Sequence, residues 1–227
     1  MILSNPWLKE GAYLLLCMML ILLYQRFLAW KTKHNPAYTI QAVNRMARTA
    51  WVETVMTRQL DILAIQTLRN STMAATFLAS TAVLLMIGVL NLSGQSHNLG
   101  STWLSLGSSI ETTKQLWSFK LLILLSDLFT AFFCFSMSVR IYTHVGYMIN
   151  VPLNLEHKII TPSHVAAHLN RAGFFYSLGM RAYYIFIPLI FWLFSGTLMV
   201  LSTILLIIVL YFLDRTPRTL ANDYIQE

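Results

Sequence analysis

Tyr183 to Leu213 contains no charged side chain, and neither does Thr72 to Leu92. Runs of this kind decide the solvent of the fold, because about 20 apolar residues are enough to cross a hydrocarbon core of ~30 Å. Two further runs qualify, residues 11–30 with Arg26 one turn from the end, and residues 116–139 with Lys120 and Asp127 inside. In lipid only helices and closed barrels satisfy their backbone groups. None of the runs shows the period-two alternation of a barrel strand, so all four are expected to be helices. The expectation is an all-α membrane protein with four transmembrane helices, one membrane domain over residues 1–227. Composition agrees: charged residues make up 11%, against about 25% in a soluble domain. Aromatics at 13% exclude a disordered chain, and two cysteines exclude a disulfide scaffold or a cysteine-based zinc module.

The first run is too long for the core of a cleaved signal peptide and lacks a small-residue cleavage site, so it is expected to stay as a span. The last run would measure ~46 Å as one straight helix. Tilt, a break near Pro188 or Ser195-Gly196, or projection beyond the membrane is expected there.

Lys31, Lys33, Arg45, Arg48, Arg58 and Arg69 fall between the first two runs, and Arg140, Lys158, Arg171 and Arg181 between the last two. The other three exposed segments hold Lys9, Lys114, Arg215 and Arg218. With four spans, the positive-inside rule places residues 31–71 and 140–182 in the cytoplasm, residues 93–115 outside, and both termini outside, in a bacterial inner membrane. The net charge of +7 is then a threading signature and a means of meeting anionic lipid, not a nucleic-acid patch.

Both cytoplasmic segments read as helical. Asn35-Pro36 and Thr161-Pro162 pair a capping side chain with a proline suited to the first helical position. After the first, Ile40, Val43, Ala47, Ala50 and Thr54 share one side, and Arg45, Arg48, Val52, Val55 and Gln59 a neighbouring stripe. Amphipathic helices at the cytoplasmic interface are expected over this region and over residues 163–181. A second helix is expected to run from about Arg58 into the second span.

Asn44-x3-Arg48-x2-Trp51, the stretch Ile62 to Asn70 ending Leu-Arg-Asn, and Leu169 to Tyr184 with its Leu-Asn-Arg and Arg-Ala-Tyr-Tyr elements carry a resemblance. Over roughly residues 10–215 the chain resembles the domain of unknown function family 599, multi-pass membrane proteins of bacteria and plants. The resemblance implies a four-span membrane protein and transfers no catalytic residue.

Several residues are candidates for chemistry. Asp127 stands at bilayer depth, where an ionisable group costs about 2.5–3.5 kcal/mol on insertion scales. Thr130, Cys134 and Ser138 continue its face, and Lys120 lies seven residues earlier. This set reads either as a proton or cation site or as a hydrogen-bonded packing device. Arg48, Arg69, Asn70, Asn170, Arg171 and Arg181 form the second set. They suit bidentate contacts to a phosphate head group, or equally helix docking through Glu53, Asp61 or Glu156. His164 and His168, one turn apart, could share a metal with Glu156, His157 or His144; the plainer reading is interfacial histidine. Ala75-x3-Ala79 and Thr76-x3-Ser80 suit close helix approach within or between chains.

The function expected is that of a non-enzymatic interaction protein with membrane lipids for ligands, either an accessory subunit of a membrane complex or a homo-oligomer, with no cofactor. The alternative is a small ion or proton channel or transporter that uses Asp127.

Overall fold

The computed structural model describes residues 6–35, 38–94, 114–153 and 160–216. These residues form α1 (Pro6–His34), α2 (Ile40–Arg58), α3 (Asp61–Gly94), α4 (Lys114–Met148), α5 (Pro162–Phe194) and α6 (Gly196–Asp214). All but α2 are long and apolar enough to cross a membrane. The chain is an all-helical membrane protein.

The run from Tyr183 to Leu213 is not one span. Ser195 breaks it with an extended backbone at φ −161° and ψ 143°. Its N–H donates to the Phe191 carbonyl at 3.1 Å, ending α5, and its Oγ accepts from the Thr197 N–H at 3.3 Å, starting α6. The new helix returns alongside α5, so that Asp214 reaches Arg181. Five apolar helices stand where the sequence suggested four. The chain is apolar and uncharged on both sides of the break, and a reversal this tight leaves no polar loop to betray it. Gly196 lets α1 pack against the reversal, because a Cβ there would overlap the ring of Tyr13. Pro188 sits inside α5 without ending it.

Two contacts fix the direction of the helices. Glu10 near the start of α1 meets Lys120 near the start of α4 and Trp192 near the end of α5. Tyr24 donates to Asp214 at the end of α6. Helices α1, α4 and α6 therefore run one way and α3 and α5 the other. We call the two ends of the bundle the Glu10 end and the α2 end.

Apolar packing follows the same axis. At the α2 end, Val52, Val55 and Met56 pack with Leu68, Tyr142, Val145, Val165 and Leu169. Small residues close the middle, where Ala79, Ala131 and Ala182 surround Phe135 and Gly179 admits its ring. Toward the Glu10 end the core is Cys17, Leu121, Leu124, Leu128, Leu189, Trp192 and Met199. Ala75 and Ala79 are both buried, so that half of the small-residue pattern on α3 serves packing within the chain, while Thr76 and Ser80 are exposed.

Thr39, not Asn35-Pro36, caps α2, its Oγ1 accepting from the Ala42 N–H at 3.3 Å; Pro36 lies outside the described residues. Of the two stripes on α2, the buried one contains Val52 and Val55, while Ile40, Ala47, Ala50 and Thr54 are exposed. Gln59, in the left-handed region at φ 53°, turns the chain into α3, which runs unbroken from Asp61. Thr161 caps α5 as expected, accepting from the His164 N–H at 3.2 Å. However, residues 163–181 are not a separate element, because α5 continues to Phe194.

Candidate functional site

The α2 end holds two adjoining cavities of 680 Å³ and 790 Å³. Helix α2 crosses beside α5 there. The first cavity opens between α2, α3, α5 and α6, with Asn44, Asn70, Tyr176, Arg181 and Asp214 in its wall. The second lies between α1, α2 and α5, with Lys33, Arg45, Asn170 and Arg171. Arg48, Gly173, Ser177 and Arg181 border both.

Arg48 is the centre of this arrangement. Its Nε donates to Asn170 Oδ1 at 2.9 Å, and Asn170 Nδ2 donates to Thr49 Oγ1 at 3.1 Å. One amide thus locks α2 against α5 and fixes the plane of the guanidinium. That plane lies on the bare backbone of Gly173, where a Cβ would come within 2.8 Å of Arg48 Cζ. Burial holds the Arg48 guanidinium below its ordinary value; Tyr142 opposes the shift and Arg45 adds to it. It stays charged nonetheless, since free guanidinium titrates above about pH 12. Among the described residues no carboxylate comes within 4.0 Å of it; the ion pairs are Lys120–Glu10 and Arg181–Asp214. The terminal nitrogens of Arg48 therefore border two cavities without an ion-pair partner among the described residues; the Asp214 carboxylate in the wall of the first cavity is engaged by Arg181 and Tyr24.

Arg181 is only partly neutralised, with Nη2 3.8 Å from Asp214 Oδ2. The same carboxylate oxygen accepts from Tyr24 Oη at 2.9 Å. The last turn of α6 is anchored beyond this point, where Thr39 and Arg215 form an antiparallel bridge and the Thr216 N–H donates to the Tyr38 carbonyl at 3.1 Å.

The structure brings together Arg48, Asn70, Asn170, Arg171 and Arg181 of the arginine and asparagine set. Arg69 is exposed on the other side of α3 from the cavity wall and joins neither cavity. Glu53 and Asp61 pair with none of them among the described residues. Glu156 and His157 lie outside those residues. His164 and His168 stack, ring centroids 4.7 Å apart. Among the described residues no third metal-ligating side chain joins them. Asp214 and Gly173 were missed from the sequence. Asp214 closes an apolar run and reads as the start of a tail unless that run is folded back.

Asp127 and Thr130 line a separate cavity of 350 Å³ in the middle of the bundle, and Cys134 is buried outside it. Lys120 does not share this face. It pairs with Glu10 Oε2 at 3.1 Å and donates to the Trp192 carbonyl at 2.9 Å. Trp192 Nε1 in turn donates to Glu10 Oε2 at 2.6 Å. Glu10 was also missed, although an acid and a base near the same ends of two neighbouring spans are the available signal.

No curated protein and no solved structure matches the chain. The family described as "Protein of unknown function, DUF599" matches residues 12–219, which include every element of both cavities. The chain belongs to the DUF599 family.

Proposed function

We propose that this protein is a non-enzymatic integral membrane interaction protein whose α2 end binds an anionic amphiphile, a phosphate-bearing head group with its chains between the helices. The observation that carries the reading is Arg48. A half-buried cation loses hydration, and an unpaired buried charge is costly until an anion meets it. A guanidinium held in plane presents a fork that fits phosphate oxygens. Arg181, Arg45, Arg171 and Lys33 surround the same space. The first cavity is bordered by Leu210 and Leu213 of α6 and Ala74 of α3, an apolar margin suited to an acyl chain.

The cationic residues support a cytoplasmic α2 end. Lys9, Lys114 and Lys120 are the only Lys or Arg residues toward the other end of the described helices, and Lys120 is already paired. Under the positive-inside rule, five crossings then leave the N-terminus outside and the C-terminus in the cytoplasm of a bacterial inner membrane. Both termini outside follows only if the α5–α6 hairpin is counted as one span. Exposed Phe77, Leu84, Ile87 and Leu90 on α3 are the face left for lipid, a membrane partner or a second copy.

The test is native mass spectrometry of the full chain from mild detergent or from nanodiscs of mixed zwitterionic and anionic phospholipid. Retained anionic phospholipid is expected, with affinity reduced about tenfold or more in Arg48→Gln, or about 1.4 kcal/mol. Equal retention in the parent and the variant overturns the reading.

A further inference from the structure

Asp127 lies 13 residues into α4, about 20 Å along its axis, and well inside the apolar length of the helix. Its Oδ2 is buried without a hydrogen-bond partner. It faces a 350 Å³ cavity between α1, α4, α5 and α6 that is partly open along the side of the bundle. An ionised carboxylate in that position has neither water nor a cation to meet its charge, and intramembrane ionisable groups in such settings mark ion or proton paths.

The groups around it define what the cavity accepts. On α4 the nearest charge is Lys120, two turns away and engaged by Glu10 and the Trp192 carbonyl. Helix α1 presents Cys17 and Gln25, α6 presents Thr203, and α5 presents Pro188 among apolar side chains; none of these is a fixed charge. Ser126, Thr130 and Thr203 each donate their proton to a carbonyl of their own helix, at 2.9, 2.9 and 2.7 Å. They therefore offer acceptor lone pairs to the cavity and no donor. Pro188 has no N–H for the carbonyl one turn back. The donors in the lining are the Gln25 amide and the Cys17 thiol, and no hydrogen bond reaches Asp127 Oδ2, so an ionised carboxylate there lacks a proton or another cation. Hard metal ions seek six or more oxygens, and this lining is largely apolar.

Laterally the cavity opens past the exposed Met18 and Leu22, the side that faces lipid, so water has to come along the bundle from one of its ends. Gln25 borders this cavity and also the 790 Å³ cavity at the α2 end. It further borders a space of about 20 Å³ that touches Tyr24, Arg181 and Asp214. Toward the Glu10 end the way is closed by Leu121, Leu124 and Trp192, all buried.

We propose that Asp127 is a proton-binding site, reached from the α2 end of the bundle through Gln25. The proton comes from water in the α2-end cavity and forms an O–H bond on the carboxylate. No other bond changes, and the neutral carboxyl becomes the donor that the surrounding hydroxyl oxygens lack. This site is independent of the head-group site, and either stands without the other.

The probe is dicyclohexylcarbodiimide, which adds to protonated carboxyls in apolar surroundings. It is applied to the full chain in proteoliposomes, with modified residues located by peptide mass spectrometry. Modification of Asp127 is expected to fall about tenfold or more as the pH is raised. Asp127→Glu keeps a pH-dependent modification at the same position, and Asp127→Asn loses it. Gln25→Leu slows the response to a pH jump at least severalfold. Modification that ignores pH, or sodium that protects at constant pH, overturns the proton assignment. An unchanged pH-jump response in Gln25→Leu overturns the route.

Discussion

The guanidinium of Arg48 rests directly on the backbone of Gly173, with no side chain between them and room for none. Gly173 is buried inside α5, so its lack of a side chain serves the arginine and not a turn.

Gly173→Ala is the selective test of this contact. Alanine favours a helix interior by up to about 1 kcal/mol over glycine, and the crowded atoms belong to the free end of a flexible side chain. We expect a melting temperature in detergent within a few degrees of the parent. Anionic-lipid affinity measured by native mass spectrometry falls about fivefold or more, because the fork leaves its plane. A variant that melts and binds like the parent removes Gly173 from the site.

Asp214 borders the first cavity and shares Arg181 with it. Asp214→Asn keeps an acceptor for Tyr24 and withdraws the negative charge. Anionic lipid should bind about three- to tenfold more tightly, with a steeper loss in salt. Weaker binding would assign Asp214 to the ligand's own contacts.

The Glu10–Lys120 pair is buried, with side chains 5% and 3% exposed. Removing one partner of such a pair is expected to cost about 3–5 kcal/mol, and removing both much less. Lys120→Met should therefore lower thermal stability sharply. Adding Glu10→Gln, which keeps an acceptor for Trp192, should restore part of the loss. A double variant as unstable as the sum of the singles would show that the pair is not coupled.

Sidedness follows from the hairpin at Ser195. In Asn5→Cys and Asn222→Cys variants, a membrane-impermeant thiol reagent applied to intact cells should modify position 5 and leave position 222 untouched until the cells are opened. Cys17 and Cys134 are buried and give little background. Labelling of both positions in intact cells restores an even number of crossings.

Much of the frame was legible because lipid demands it. The first three spans follow from apolar runs alone, and the cap at Thr161 from a side chain and a proline in sequence. A break at Ser195-Gly196 was among the readings of the long last run, but its reversal of the chain was not, since one extended residue between two uncharged apolar stretches inserts no polar loop. With the reversal lost, Asp214 could not be placed beside Arg181, nor α6 beside α1. The arginine and asparagine set was readable as a set, because its members recur in similar short stretches. Which of them converge was not readable, because Arg69 and Asn70 are neighbours in the chain and point to different sides of α3. Glu10 and Lys120 meet only when the first and fourth helices are packed, and an acid and a base near the same ends of two apolar runs hint at the pair without fixing it.

The contacts of α1 also set an order of events during synthesis. Glu10 finds Trp192, 182 positions later, and Tyr24 finds Asp214, 190 positions later. Helix α1 can take up these two contacts only after the α5–α6 hairpin has been made, whereas its pairing with Lys120 is available as soon as α4 is in place. Truncation within the closing hairpin would leave α1 tied through Glu10 to Lys120 but with Tyr24 deprived of Asp214, a loosened segment that quality-control proteases of the membrane are placed to detect.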